Sequence, residues 1–375
     1  MKAQINRSVA VLGTGRYLPK RVITQEILGG MISNYDADHS GDFGTWVDRV
    51  THIHERRYVE TETAGDIGAI ASQRALEMAG VKPTELDLIL FASFTSASSV
   101  PGDHVLLSRA IGATATPSFT MTAACAGSVI GMAMAYGLLA SGMMKRILVV
   151  GTETISPVLD FADPLTTILF GDGAGAVVLG TTPESDGGML VPMLGHEFNY
   201  ENITMPNINV PFLSKEREPA QNGTPRAVEQ GFLKMISGPS VLRNAVNTMA
   251  GCVHEVLGYE DGREASFKDT AAGMRLIPHQ ANGRIVDGLA KKLGAKPERV
   301  TKTLYKAGNI SAASSLIALD YAMRDGNLKA ERDEETGRIT RIEEVSDPIQ
   351  KGELIVMPTI AAGYLYGAVA FVHPG

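Results

Sequence analysis

The chain has 375 residues, 44% of them hydrophobic and 20% charged, with a formal net charge of −7. That length suits one large domain or two ordinary ones, and the composition fits a globular protein with sizeable cores. The acidic balance argues against binding along a nucleic-acid backbone, and two cysteines without a CxxC spacing give neither a disulfide framework nor a cysteine zinc site.

The opening MKAQINRSVAVLGTGRYLP carries a short apolar run broken by glycines, which reads as a buried strand and a glycine turn, not as a signal peptide. Residues 64–81 have helical periodicity, and LDLILFAS follows as a continuous apolar strand. VIGMAMAYGLLASG is helical in pattern and length. The apolar stretch it belongs to, residues 129–144, is broken by glycines and a serine and is too short for a membrane span. KRILVVGTET and GAGAVVLGTT are further buried strands. The alternation predicts a largely buried sheet in a layered α/β fold.

The second half repeats the order. Helical SVLRNAVNTMAGCVHEVLG leads to the strand MRLIPHQAN, and GELIVMPTIAAGYLYGAVAFV echoes the earlier pair of strands. We expect two related halves, residues 1–183 and 184–375. Two stretches break the pattern. Residues 196–228 are polar and rich in Asn and Pro, as in a lid or binding loop. Residues 329–347 are highly charged around Thr336-Gly337 and read as a solvated surface hairpin.

Three polar residues stand at strand-to-helix junctions. Cys125, in TMTAACAGS, starts a helix, whose N-terminal partial charge favours a thiolate and whose N–H groups can receive an oxyanion. A cysteine among Ala, Gly and Ser is as readily a packing residue. His279, in RLIPHQANGRI, ends a buried strand, where open α/β sheets place ligands; a satisfied structural histidine is the alternative. Asn309, in KAGNISAASS, suits a helix cap. Together they suggest more. The thiol takes an acyl group as a thioester, and the imidazole and amide donate to a second carbonyl oxygen, stabilising an enolate. The small residues around Cys125 would let a thioester carbonyl approach the helix end. His52 and His54 have strand-like spacing but no third metal ligand, and read as surface residues; no metal is expected. His254 and Cys252 do not share a helix face.

In the order VLGTGRYLPKRVITQEIL, AACAGS, FGDGAGAVVLG, PHQANGRI and GNISAASS, these motifs resemble β-ketoacyl-acyl-carrier-protein synthase III of the thiolase superfamily, over nearly the whole chain. The resemblance implies a thiolase-like five-layered αβαβα fold from two similar halves, and a homodimer; the cysteine usage and the N-terminus read separately as a cytoplasmic protein with reduced thiols. It implies an acyltransferase in which Cys125 carries an acyl primer while His279 and Asn309 assist decarboxylation of a malonyl thioester on an acyl carrier protein. The oxyanion hole would use the Cys125 N–H and the turn at Gly363. No permanently bound cofactor is implied; coenzyme A or phosphopantetheine thioesters are substrates, and neither nucleic acid nor membrane is a partner. Arg243, Arg284, Lys291 and Lys292 match positions that dock the acidic carrier, and Arg284 and Lys291, seven apart, share a helix face.

Departures from the pattern bear on substrate. Trp46 matches an aromatic that holds the adenine of coenzyme A, but Pro164 stands where its arginine partner belongs. WVDRVTHI puts Val50 in place of an arginine and His52 in place of a glycine; Arg49 is positioned to compensate. AAGYLYG keeps Gly363 alone of three consecutive glycines. Val100 replaces a phenylalanine that closes the acyl pocket across the dimer, which predicts room for a longer or branched primer. An acyltransferase or polyketide-type ketosynthase using the same acyl-cysteine is the alternative function. An inactive scaffold would have no reason to keep all three polar residues.

Overall fold

The computed structural model describes residues 8–183, 187–198, 203–205, 232–235, 238–259 and 264–375. The first half builds one five-stranded sheet from β1 (Ser8–Tyr17), β2 (Leu88–Ala92), β3 (Ser118–Met121), β4 (Arg146–Glu153) and β5 (Gly173–Thr182). The spatial order is β1-β5-β4-β2-β3. β2 runs parallel to both neighbours, and β5 is antiparallel to both of its own. β2 reads LILFA without alternation because helices cover both faces of the sheet and every one of its residues is buried.

Helices α1 (Ala64–Ala79), α2 (Asp103–Ile111) and α3 (Gly127–Ala140) follow β strands of this half. α1 begins at a capping box between Thr63 and Asp66 and stops at Gly80, whose φ of +62° costs glycine little. α1 and α2 cover the outer face, where Ile67, Leu76, Phe91, Leu107 and Val150 share a core.

The second half repeats the plan with β6 (Gly188–Met189), β7 (Met193–His196), α4 (Gly238–Val256), β8 (Arg275–Leu276), α5 (Gly283–Leu293), α6 (Ser314–Arg324), β9 (Leu354–Ile360) and β10 (Leu365–Val372). β8 lies parallel to β9, β9 antiparallel to β10, and β6 and β7 both pair with the far edge of β10. A single parallel bridge from Leu276 to Val300 occupies the place that β3 holds in the first sheet. β8 is shorter than MRLIPHQAN suggested, but the ladder runs on: Ile277 N–H donates to Val356 O and His279 N–H to Pro358 O.

α3 and α6 form the middle layer. Val129, Met132 and Leu139 of α3 and Leu316, Leu319 and Met323 of α6 pack between Val149 and Val177 of one sheet and Ile355, Met357 and Phe371 of the other. α4 and α5 close the second sheet from outside. The result is helix, sheet, helix, sheet, helix: the five-layered thiolase-like fold. Each large apolar side chain buried in these layers contributes about 1.5–3 kcal/mol relative to exposure.

The hairpin forms from Asn327–Arg332 and Ile339–Val345. It is not simply solvated: Ile339 is 2% exposed, and its N–H reaches the buried carboxylate of Asp48. Most of the 196–228 stretch lies outside the described residues; Ile203–Thr204 pairs with Lys234–Met235. Among the described residues no helix is long and apolar enough to cross a membrane, and no group of His, Cys, Asp and Glu could hold a metal ion.

Candidate active site

After β3 the chain turns through Ala124, at φ +42°, and makes one 3₁₀ turn, Ala124–Ala126, before α3. Cys125 therefore sits in a strained elbow preceding the helix, not in its first turn. The small residues here serve packing. A Cβ on Gly127 would stand 2.9 Å from Ala92 Cβ and 3.3 Å from Ala312 Cβ.

The helix end does not yield the expected thiolate. Burial pushes the Cys125 thiol up to about 11; the Ser311 side chain opposes the rise and the charge of Glu153 adds to it. At neutral pH the resting group is a thiol. Glu153 is itself fully buried and pushed up to about 8 by burial, against hydrogen bonds from Thr95, Phe94 and Ser93 that favour its charged form.

His279 arrives from β8 on an extended segment fixed by Gln280. The Gln280 amide donates to Pro278 O at 2.7 Å and Thr301 O at 3.1 Å and accepts from Thr303 N–H at 2.9 Å. The imidazole is 1% exposed, and neither ring nitrogen has a hydrogen-bond partner among the described residues. Burial lowers its pKa to about 4, so it is neutral at pH 7 and carries one N–H. Asn309, 5% exposed, is held through its backbone to Leu169 and Gly171. Its Oδ1 accepts from Ser311 N–H at 2.8 Å, which turns the NH₂ end away from Ser311. The helix cap expected of Asn309 does not form: Ile310 and Ala313 stand at the N-cap positions that follow, and the Asn309 side chain closes a local turn onto Ser311 instead.

The Ala361–Tyr364 turn tolerates two alanines because positive φ falls only on Gly363 (+79°) and Tyr364 (+54°). Tyr364, buried, meets the Asn244 amide through its hydroxyl at 3.2 Å. Thr359 Oγ1 donates to Cys125 O, tying the elbow to β9.

One cavity of about 1710 Å³ joins these groups. Cys125, His279, Asn309 and Tyr364 all line it. Trp46, Val50, Arg243 and Arg284 line it as well; Arg243 and Arg284 are exposed, with Arg284 in the first turn of α5. Arg49, Lys291 and Lys292 are exposed outside its wall, and Leu165, not Pro164, contributes from that segment. Val100 does not line this chain's own cavity. It faces outward at 90% exposure, so it can close an acyl pocket only on a second copy. Trp46 packs against Tyr35 and Phe43, with ring centroids 5.2 and 6.0 Å away. His52 and His54 are not free surface residues. His52 caps its helix at φ +62°, a conformation that accounts for glycine in the family pattern, and faces Asp287 at 3.2 Å; His54 faces Asp48 at 3.2 Å. Ser311, Glu153, Gln280 and Tyr364 were not singled out from sequence, although Ser311, in GNISAASS, and Gln280, in PHQANGRI, lie inside recognised motifs.

Comparison with known proteins agrees with this architecture. Residues 119–195 match the 3-oxoacyl-acyl-carrier-protein (ACP) synthase III family and residues 271–333 its C-terminal counterpart. The chain is 34% identical over 364 residues to the β-ketoacyl-acyl-carrier-protein synthase III of Agrobacterium fabrum, covering 96% of this chain and 97% of the relative. The Brucella melitensis protein of that name is 34% identical over 372 residues, covering 97% and 98%. The crystal structure of the Aquifex aeolicus synthase III superposes with a TM-score of 0.78 at 30% identity, covering 97% of this chain and all of that one. The priming β-ketosynthase of the R1128 polyketide pathway reaches 0.78 at 28% identity, covering 100% and 98%. The fold is that of the thiolase-like condensing enzymes. Within that class the chain belongs to the β-ketoacyl-acyl-carrier-protein synthase III family.

Proposed function

We propose that Cys125, His279 and Asn309 carry out a decarboxylative condensation. The protein is an acyltransferase of the synthase III type, joining an acyl primer to a malonyl-acyl-carrier-protein extender in fatty-acid initiation or a related pathway. The Cys125 sulfur attacks the primer thioester, and the coenzyme A or pantetheine thiol leaves with the proton. Malonyl thioester then binds with its carbonyl oxygen toward the His279 and Asn309 N–H donors. Its carbon–carboxylate bond breaks, CO₂ departs, and the electron pair is held as an enolate. The enolate carbon attacks the acyl carbonyl, expelling the Cys125 thiolate and giving the β-ketoacyl product. The Cys125 N–H and the turn at Gly363 receive the transient oxyanion. The observation that carries this reading is His279: a buried neutral imidazole whose nitrogens have no partner among the described residues, on the same cavity as the thiol and the amide. A buried polar group left unsatisfied is costly unless a ligand completes it.

The primer is medium, long or branched rather than acetyl, a reading supported by Val100 and by the cavity's size. The carrier docks on Arg243, Arg284, Lys291 and Lys292, with Trp46 and Arg49 at the mouth for coenzyme A or pantetheine. The active form is a cytoplasmic homodimer. Support comes from the exposed Val100 and Phe119 beside edge strand β3, an apolar and unpaired margin of the first sheet. The likeness to a polyketide priming enzyme keeps a specialised pathway as the second reading.

Incubation with a panel of acyl-CoAs and acyl-carrier proteins, followed by intact mass, identifies the donor. Acylation is expected in the unaltered protein and absent from Cys125→Ala. Mass shifts that survive that change would overturn the mechanism, and loading by acetyl-CoA alone would overturn the primer assignment.

A further inference from the structure

The charged hairpin takes no part in the reaction above, yet it grips the mouth of the cavity. The mouth helix Phe43–Thr51 carries Trp46 and Val50 into the cavity wall and Asp48 and Arg49 beside them. Ile339 N–H donates to Asp48 Oδ2 at 3.0 Å. Arg332 Nη1 donates to Asp48 O at 3.1 Å and to Gly337 O at 3.2 Å. Gly337, at φ +75°, lies over the Arg49 stem; a Cβ there would stand 3.6 Å from Arg49 Cγ.

Asp48 is fully buried and does not line the cavity. Its carboxylate also accepts from Gln25 Nε2 at 3.1 Å and meets His54 Nδ1 at 3.2 Å. Gln25 Oε1 in turn accepts from the buried Arg56, whose Nη2 donates to Ile168 O at 2.8 Å. Ile168 lines the cavity. A continuous run of hydrogen bonds thus joins the hairpin, the mouth helix and another part of the cavity wall. A buried carboxylate is expensive unless fully hydrogen-bonded, so each partner is committed to one geometry.

We propose that the hairpin is a strap that fixes the mouth helix through Asp48, making Asp48 a positioning residue for the pantetheine arm of the thioester. This rests on reading the cavity as a thioester channel. The strap sets how well the arm is held, not how the bond is made.

Trp46 is the chain's single tryptophan, so its fluorescence reports this helix alone. Two variants test the strap. Asp48→Asn keeps the shape but turns an NH₂ donor toward either the Ile339 N–H or the Gln25 amide, which donate to opposite oxygens of the native carboxylate. A second variant, Arg332→Ala, removes the donor to Asp48 O and Gly337 O and leaves Ile339 in the core untouched. In both, KM for the acyl thioester that loads the unaltered protein is expected to rise about tenfold with kcat within about twofold. Acrylamide quenching of Trp46 rises, and iodoacetamide modifies Cys125 at an unchanged rate. Folded variants with unaltered KM and unaltered quenching overturn the proposal. So does a fall in kcat and in Cys125 modification with KM unmoved. If Asp48→Asn fails to fold, Arg332→Ala decides. If no thioester loads the unaltered protein, the functional reading has failed, and the quenching comparison still judges the strap.

Discussion

The elbow at Cys125 and the elbow at Ala312 share a backbone and differ in content. Ala124 has φ +42° and Ser311 +44°; each opens a single 3₁₀ turn, and each turn runs into a middle-layer helix. In the first turn the central residue is a thiol, in the second an alanine pressed against the first half. A Cβ on Gly151 would stand 2.3 Å from Ala312 O. The second elbow carries no nucleophile and packs as a support. It presents Asn309 and Ser311 to the first, while the strand-end segment of its own half brings His279. Repeating a fold therefore supplied two equivalent positions, and chemistry followed from making them unequal.

The comparison can be broken most severely by making the elbows alike. Cys125→Ala is expected to lower condensation by on the order of 10³-fold or more, read as product formed per unit time. Forcing the elbows apart comes next. Gly151→Ala drives a Cβ into Ala312 O, and calorimetry should find a lower Tm, with a loss of about 1–3 kcal/mol for overpacking. Ser311→Ala removes the hydroxyl that steadies the thiolate. Iodoacetamide modification of Cys125 at pH 8 should slow about tenfold, since a hydrogen bond to a charged group contributes about 1.5–3 kcal/mol.

A further effect is a pH dependence. His279 is held neutral in the folded protein, with its pKa lowered from 6.5 to about 4 by burial, while the unfolded chain takes up a proton near 6.5. Stability from this group is full above that value and is lost as pH falls toward 4. His279→Gln should flatten that part of the stability–pH curve in urea titrations. On the alkaline side, modification of Cys125 in the unaltered protein should keep rising with pH up to about 11.

Much of this was legible in the sequence. Continuous apolar runs such as LILFA and periodic runs such as residues 64–81 fixed strands and helices, because both depend on near neighbours. The motif order pointed to Cys125, His279 and Asn309. What escaped depends on distant partners. The Cys125 pKa follows from burial by both halves and from Ser311, far along the chain. Asp48 was not singled out from sequence, because the hairpin that binds it lies almost three hundred residues away. Tyr364 gave no hint of its positive φ, since a tyrosine carries no mark of that conformation. Val100 read correctly as small, but its outward direction is a property of the folded chain.

The central claim is a division of labour: the first half holds the acyl group and the second half releases CO₂. Loading His279→Ala and Asn309→Ala with the preferred acyl donor, then adding malonyl carrier protein, separates the two by intact mass and CO₂ release. The account predicts that both variants form acyl-Cys125 as the unaltered protein does and fail to release CO₂. Undiminished CO₂ release from either variant would contradict it.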